Sequence, residues 1–238
     1  MNKNWFVVVA LSGAGAALAQ DSGVSVSVGA RAWYTEWTTF GYFTDPVTRE
    51  NLALTQVSAR DKLVLMPVVS VRYGDFSGSI SGMPSTDFSF VGGEGNARQE
   101  LDVNVGYDVI PGLTLTLGYK KVSQTAPDGS RYRPSGPVAG LSAYAPLSGP
   151  WSLYGSLGVG KFKTPGGDPI KFKADYRLTE LGLAYVLNGN QLVKRWTFTA
   201  GYRTQVLSSK EAFTTRSGEA QDARDTTQGL TLGVGTMF

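Results

Sequence analysis

Leu101-Asp102-Val103-Asn104-Val105-Gly106-Tyr107-Asp108-Val109 is the stretch whose reading decides the fold. Every odd position is apolar or aromatic, and every even position is polar or glycine. Strand side chains alternate between faces, so this segment builds a sheet with one apolar and one polar surface. The pattern recurs in Leu113-Thr114-Leu115-Thr116-Leu117-Gly118-Tyr119-Lys120, in Val24 to Val28, in Trp196 to Arg203 and in Leu230 to Gly235. Less regular strands are predicted at about 62–73, 75–86, 137–146, 150–162 and 175–187. Pro67 and Pro84 fall inside two of these, and proline lacks the N–H a ladder needs, so bulges or shortened pairing are expected there. The total is about ten strands, within a range of about eight to twelve.

The connections fall into two kinds. Tight turns are predicted at Tyr73-Gly74-Asp75, Ile110-Pro111-Gly112, Leu147-Ser148-Gly149-Pro150 and Leu187-Asn188-Gly189-Asn190. Long polar segments occupy about 38–61, 87–98, 122–136, 163–174 and 207–227. Short and long alternate along the chain, so all short turns lie at one end of an antiparallel sheet and all five long loops at the other. Tyr73, Phe76, Tyr107, Trp151, Tyr185, Trp196 and Phe238 sit near the short turns; Tyr34, Tyr119 and Tyr202 sit near the long loops. Between these two aromatic levels the apolar rows are Val, Leu and Ala, as a lipid-facing band requires. A soluble barrel or sandwich alternates too, but it needs neither aromatic girdles nor a chain that stops on an aromatic at the end of a strand.

The N-terminus reads differently. Lys3, the apolar run Trp5 to Leu11 and the small residues ending in Ala17-Leu18-Ala19 have the layout of a secretory signal peptide, giving residues 1–19 as leader and 20–238 as barrel. The chain has no cysteine and no histidine, which excludes a disulfide scaffold, Cys/His metal sites and histidine-based catalysis. A net charge of +3 is too weak a bias to indicate nucleic acid. No cofactor or metal site is expected: Glu219, Asp222 and Asp225 in the last loop have no compact cation spacing, and Gly158-Val159-Gly160 lies inside a strand.

In these features the mature chain resembles the bacterial outer-membrane β-barrels of Gram-negative cells. Its last strand is similar to their C-terminal assembly signal, in which a terminal Phe follows apolar residues at every second position. Here those are Phe238, Val234, Leu232 and Leu230, with Thr236 departing from the pattern. The resemblance implies an all-β, transmembrane, antiparallel up-and-down barrel with short periplasmic turns and long extracellular loops. It also implies the barrel-assembly machinery as a partner. Ten-stranded members of the class include the omptin proteases, which pair acidic residues with histidine, and Opc-type adhesins.

With the apolar rows facing lipid, the alternate rows face the lumen. Arg31, Arg72, Lys120 and Arg203 would meet Glu100, Asp102, Asp108 and Glu180 there. Such charges must be paired, so a structural ion-pair network is one reading. Many inward positions are Ser or Gly (Ser77, Ser79, Ser142, Ser156, Gly140, Gly158), so a narrow channel for ions or very small solutes is another. Glu100 and Asp102 share a face, but catalysis is not expected. At the outer end, Phe40, Tyr42 and Phe43 form an apolar cluster, while Arg131, Arg133, Lys161, Lys163, Lys171 and Lys173 are placed to meet lipopolysaccharide phosphates. Three functions follow: a narrow channel, a surface adhesion or ligand-binding protein acting through its loops, and a structural subunit partnering other envelope proteins.

Overall fold

The computed structural model describes residues 23–44, 51–90, 95–127, 129–165, 173–214 and 218–238; the leader reading of residues 1–19 lies outside them. The strands are β1 (Val24–Thr44), β2 (Asn51–Ser58), β3 (Lys62–Tyr73), β4 (Phe76–Ser89), β5 (Gly95–Ile110), β6 (Leu113–Thr125), β7 (Arg131–Tyr132), β8 (Ser135–Pro146), β9 (Trp151–Lys163), β10 (Lys173–Asn188), β11 (Arg195–Thr214) and β12 (Ala220–Met237). Each pairs antiparallel with its neighbour, and β1 closes the ring on β12 from Ser27↔Met237 to Thr38↔Thr226. The result is a closed barrel of ten strands. Two short strands prolong its outer end: β2 pairs with β1 and leads into β3, and β7 pairs with the tip of β6 and leads into β8.

The two faces separate as the alternation requires. Val24, Val26, Val28, Leu101, Val103, Val105, Leu115, Leu117, Leu157, Val159, Leu181, Leu230 and Leu232 are all exposed on the outside. A continuous apolar exterior of this kind is stable only in hydrocarbon. Aromatic pairs rim its inner-turn end, with Phe76 against Tyr107 at 5.1 Å and Trp151 edge-on to Tyr185 at 4.8 Å. Tyr34, Tyr119 and Tyr202 mark the opposite margin, about half exposed. Gly74 and Gly112 supply the positive φ of the short turns, 56° and 89°.

One expectation is corrected. Four of the five long polar segments are largely strand: β1 continues to Thr44, β4 to Ser89, β6 to Thr125 and β11 to Thr214, while β5 starts at Gly95 and β12 at Ala220. The wall therefore rises beyond the apolar band. There both faces of a strand carry polar residues, and the apolar–polar alternation that marks a half-buried strand disappears although the backbone ladder goes on. The prolines act as expected. Pro84 sits where β4 bulges against β5, between Met83 and Thr86, and the β3–β4 ladder stops at Val68↔Ser81, beside Pro67.

Candidate functional site

Eight charged side chains meet inside the outer half of the barrel. Arg98 on β5 donates to Glu100 (2.7 Å) and to Asp225 on β12 (2.8 Å). Lys120 on β6 donates to Glu100 at 2.6 Å and to Asp102 at 2.9 Å. Across the lumen Glu180 on β10 accepts from both Arg203 on β11 (2.9 Å) and Arg31 on β1 (3.2 Å). Four cations face four anions, so the cluster is neutral. Seven of the eight side chains are at most 3% exposed, and Asp102 is 14% exposed.

Neutral polar groups and aromatics complete the closure. Trp37 Nε1 and Gln124 Nε2 donate to Asp225 Oδ2 at 2.8 and 2.7 Å. Gln205 donates to Glu100 at 3.2 Å and accepts from Tyr176 Oη at 2.8 Å, and Tyr154 Oη donates to Glu180 at 3.2 Å. Arg98 lies over the Trp37 ring (5.0 Å), Arg203 over Trp33 (5.4 Å) and Lys120 over Tyr176 (5.7 Å). A desolvated cation over an aromatic face is stabilised by about 2 kcal/mol. Partners come from β1, β5, β6, β9, β10, β11 and β12, so the charges lock strands to each other across the lumen as well as to their neighbours.

The inner half is built of smaller parts. Arg72 pairs with Asp108, which also accepts from Thr114 at 2.6 Å, and Ser142 bonds Ser156 at 3.1 Å. Between this layer and the charge cluster, Asn104, Thr116, Gly140, Ser142, Ser156 and Gly158 help line a cavity of about 30 Å³. A cavity of that size has room for about two waters.

The structure thus brings Arg31, Glu180 and Arg203 together, and separately Glu100, Asp102 and Lys120, and Arg72 with Asp108. Sequence reasoning missed Arg98, Asp225, Trp33 and Trp37. Asp225 was expected in a solvated loop; it is instead 2% exposed and serves Arg98, Trp37 and Gln124. The signal that was available is its parity: Asp225, Thr227 and Thr231 lie on the same inward row as Gly233 and Gly235.

On the outside, Lys163 and Lys173 are exposed and stand directly opposite each other on β9 and β10. Lys163 is also opposite Ser135 on β8, which in turn is opposite Lys121 on β6. One row around four strands therefore carries Lys121, Ser135, Lys163 and Lys173, one residue pair above Tyr119 and Lys161, the latter ion-paired with Asp175. Lys121 was not anticipated. Arg131 is exposed at the outer end and Arg133 half-buried; Lys171 lies outside the described residues. Phe40 packs edge-on to Tyr132 at 6.0 Å, and the side chains of Tyr42 and Phe43 lie outside the description. At the other margin Val234, Leu232, Leu230 and Phe238 face outward, Phe238 N–H donates to Val26 at 2.9 Å, and Thr236 Oγ1 contacts the Val28 carbonyl.

No protein-family model and no curated protein sequence matches this chain. Solved structures do. The outer membrane protease OmpT from Escherichia coli superposes with a TM-score of 0.53 at 10% identity, covering 93% of this chain and 99% of that one. A Pseudomonas aeruginosa FadL homologue (TM-score 0.34, 10% identity, 90% and 89% covered) and the Pseudomonas putida toluene transporter TodX (0.34, 9%, 92% and 90%) are more distant. The fold is that of the bacterial outer-membrane barrels, and at these identities the likeness concerns the fold alone.

Proposed function

We propose that this chain is an integral outer-membrane barrel, closed by its own charge network, whose outer rim binds the phosphates of lipopolysaccharide. The observation that carries this reading is the lysine row Lys121, Lys163 and Lys173 just above the apolar band. Like charges directly opposite on neighbouring strands repel and destabilise a sheet. Lys163 and Lys173 stand in that relation with Lys121 on the same row, and an anion between them, such as a lipid phosphate at the edge of the apolar band, would relieve the repulsion. Arg131 and Arg133 at the outer end extend the cationic rim, while Lys161 is paired with Asp175. The test is the triple variant Lys121→Gln, Lys163→Gln, Lys173→Gln. It should lose most co-purifying lipopolysaccharide, and should lose the extra heat stability that lipopolysaccharide confers on the refolded barrel. Unchanged co-purification would sink the reading.

A narrow channel is the second reading, favoured by the water-sized cavity and the Ser/Gly lining of the inner lumen. The buried charge cluster argues for a closed resting state, so conduction would require its bonds to part. Single-channel recording in a planar bilayer separates the two. Small, steady steps that shift in Arg31→Gln, Lys120→Gln or Glu100→Gln support a pore; a silent bilayer with folding verified by heat-modified gel mobility supports closure. We propose no catalysis. The chain has no histidine, and its adjacent carboxylates, Glu100 and Asp102, are both held by Lys120.

A further inference from the structure

The barrel wall is split between β3 and β4. Their ladder runs over six residue pairs, from Tyr73↔Phe76 to Val68↔Ser81, and no residue from Lys62 to Pro67 has a ladder partner on β4. Pairing returns at the bridge Ala59↔Phe90, beside the bond from Arg60 N–H to the Ser89 carbonyl (2.9 Å). The other edge of each strand is intact: β3 pairs with β1 up to Lys62, and β4 pairs with β5 up to Ser89 with one bulge.

The two prolines account for the split. The two-residue turn Gly74–Asp75 makes Tyr73↔Phe76 a hydrogen-bonded pair, so Val71↔Gly78 and Val69↔Ile80 are hydrogen-bonded too. The next such positions set Pro67 against Gly82 and Leu65 against Pro84. At each of these levels one donor is missing because the residue is proline. The number of residues from Val68 to Ala59 equals that from Ser81 to Phe90, so the strands part and rejoin without slipping.

The split lies within the apolar band, on its outer side. Leu63 and Leu65 are 66% and 61% exposed on one lip, and Pro84 is exposed on the other. Lys62 Nζ reaches the Asp87 carbonyl at 2.5 Å across the top, where the band ends. Directly behind the split, Val64, Met66, Met83, Phe88, Trp33 and Trp37 form one buried apolar cluster, with the charge network on the far side of its tryptophan rings. Met66 and Met83 approach from opposite lips, and unbranched methionine repacks readily around a new neighbour. Backbone left unpaired against hydrocarbon is costly, so an open ladder here needs a reason.

We infer that this split is a lateral binding site that admits an acyl chain of an outer-leaflet lipid into the Trp33–Trp37 cluster. Hydrocarbon is the medium on its outer side, both lips carry exposed apolar residues, and the interior it reaches is a buried apolar cluster. The site does not depend on the lysine row, so its test stands apart from that reading. The refolded chain carrying Trp5→Phe, Trp151→Phe and Trp196→Phe keeps Trp33 and Trp37 as its tryptophans. Adding Leu65→Cys and Pro84→Cys to a chain without cysteine places a reversible clasp across the split. In vesicles of mid-chain-brominated phospholipid, the reduced protein should show strong tryptophan quenching. Oxidation should remove most of it, and reduction should restore it. Equal quenching in both redox forms, or none in either, overturns the proposal. Should the clasp prevent folding, Pro67→Thr with Pro84→Thr restores the missing donors; quenching undiminished in that variant would overturn the proposal equally.

Discussion

The outer and inner halves of the lumen are filled in opposite ways. The outer half holds long charged side chains and two tryptophans, with ion pairs inside β5, between adjacent strands and, through Arg31–Glu180 and Arg98–Asp225, across the lumen; apart from the Arg72–Asp108 pair, the inner half is mostly serine, threonine and glycine around a cavity of about 30 Å³. The difference teaches where cohesion resides. Removing a small inner hydroxyl takes away one neutral contact, whereas removing one outer charge leaves its partners buried and uncompensated. That asymmetry is a general property of ion pairs in low dielectric, and here it is laid out along one axis.

Three substitutions test it, in descending order of effect. Glu100→Ala leaves Arg98 and Lys120 each short of a carboxylate and should destabilise the barrel by about 3–5 kcal/mol, read as a lower urea midpoint for unfolding from vesicles. A loss under about 1 kcal/mol would show that the cluster is already hydrated. Gly182→Val tests the crowded boundary between the halves. A Cβ there meets the Ala200 carbonyl at 2.4 Å and the Tyr154 ring at 2.7 Å. Overpacking of this kind costs about 1–3 kcal/mol, and the same urea titration checks it. Ser142→Ala, at the cavity, should cost no more than about 1 kcal/mol because water can serve Ser156 instead. If Ser142→Ala matched Glu100→Ala, the contrast between the halves would collapse.

The same contrast explains what could be read from the sequence. Inside the apolar band an apolar or aromatic outward neighbour marks the parity: Ala30 and Ala32 beside Arg31, Tyr119 beside Lys120, Leu181 beside Glu180 and Tyr202 beside Arg203 were enough to assign these four to the lumen. Arg98 and Asp225 lie on the wall beyond the band, where the outward neighbours Gln99, Arg224 and Thr226 are polar and the two faces look alike. Trp33 was hidden for a different reason: it stands beside Tyr34, and two adjacent aromatics conceal which one faces lipid. Partnership itself was not legible, because Arg98 and Asp225 are 127 residues apart and only closure of the ring brings them together.

That closure has a kinetic consequence. The β1–β12 ladder joins the first described strand to the last through twelve residue pairs, and it forms only when every strand between has been placed. Until then both edges present unpaired backbone, which neither lipid nor solution tolerates for long. Because the final pairing spans nearly the whole chain, the entropy of bringing its ends together must be met before any of its hydrogen bonds is gained. The barrel is therefore expected to mature in one late, slow event. A partly wound intermediate would persist only while something guards its two open edges.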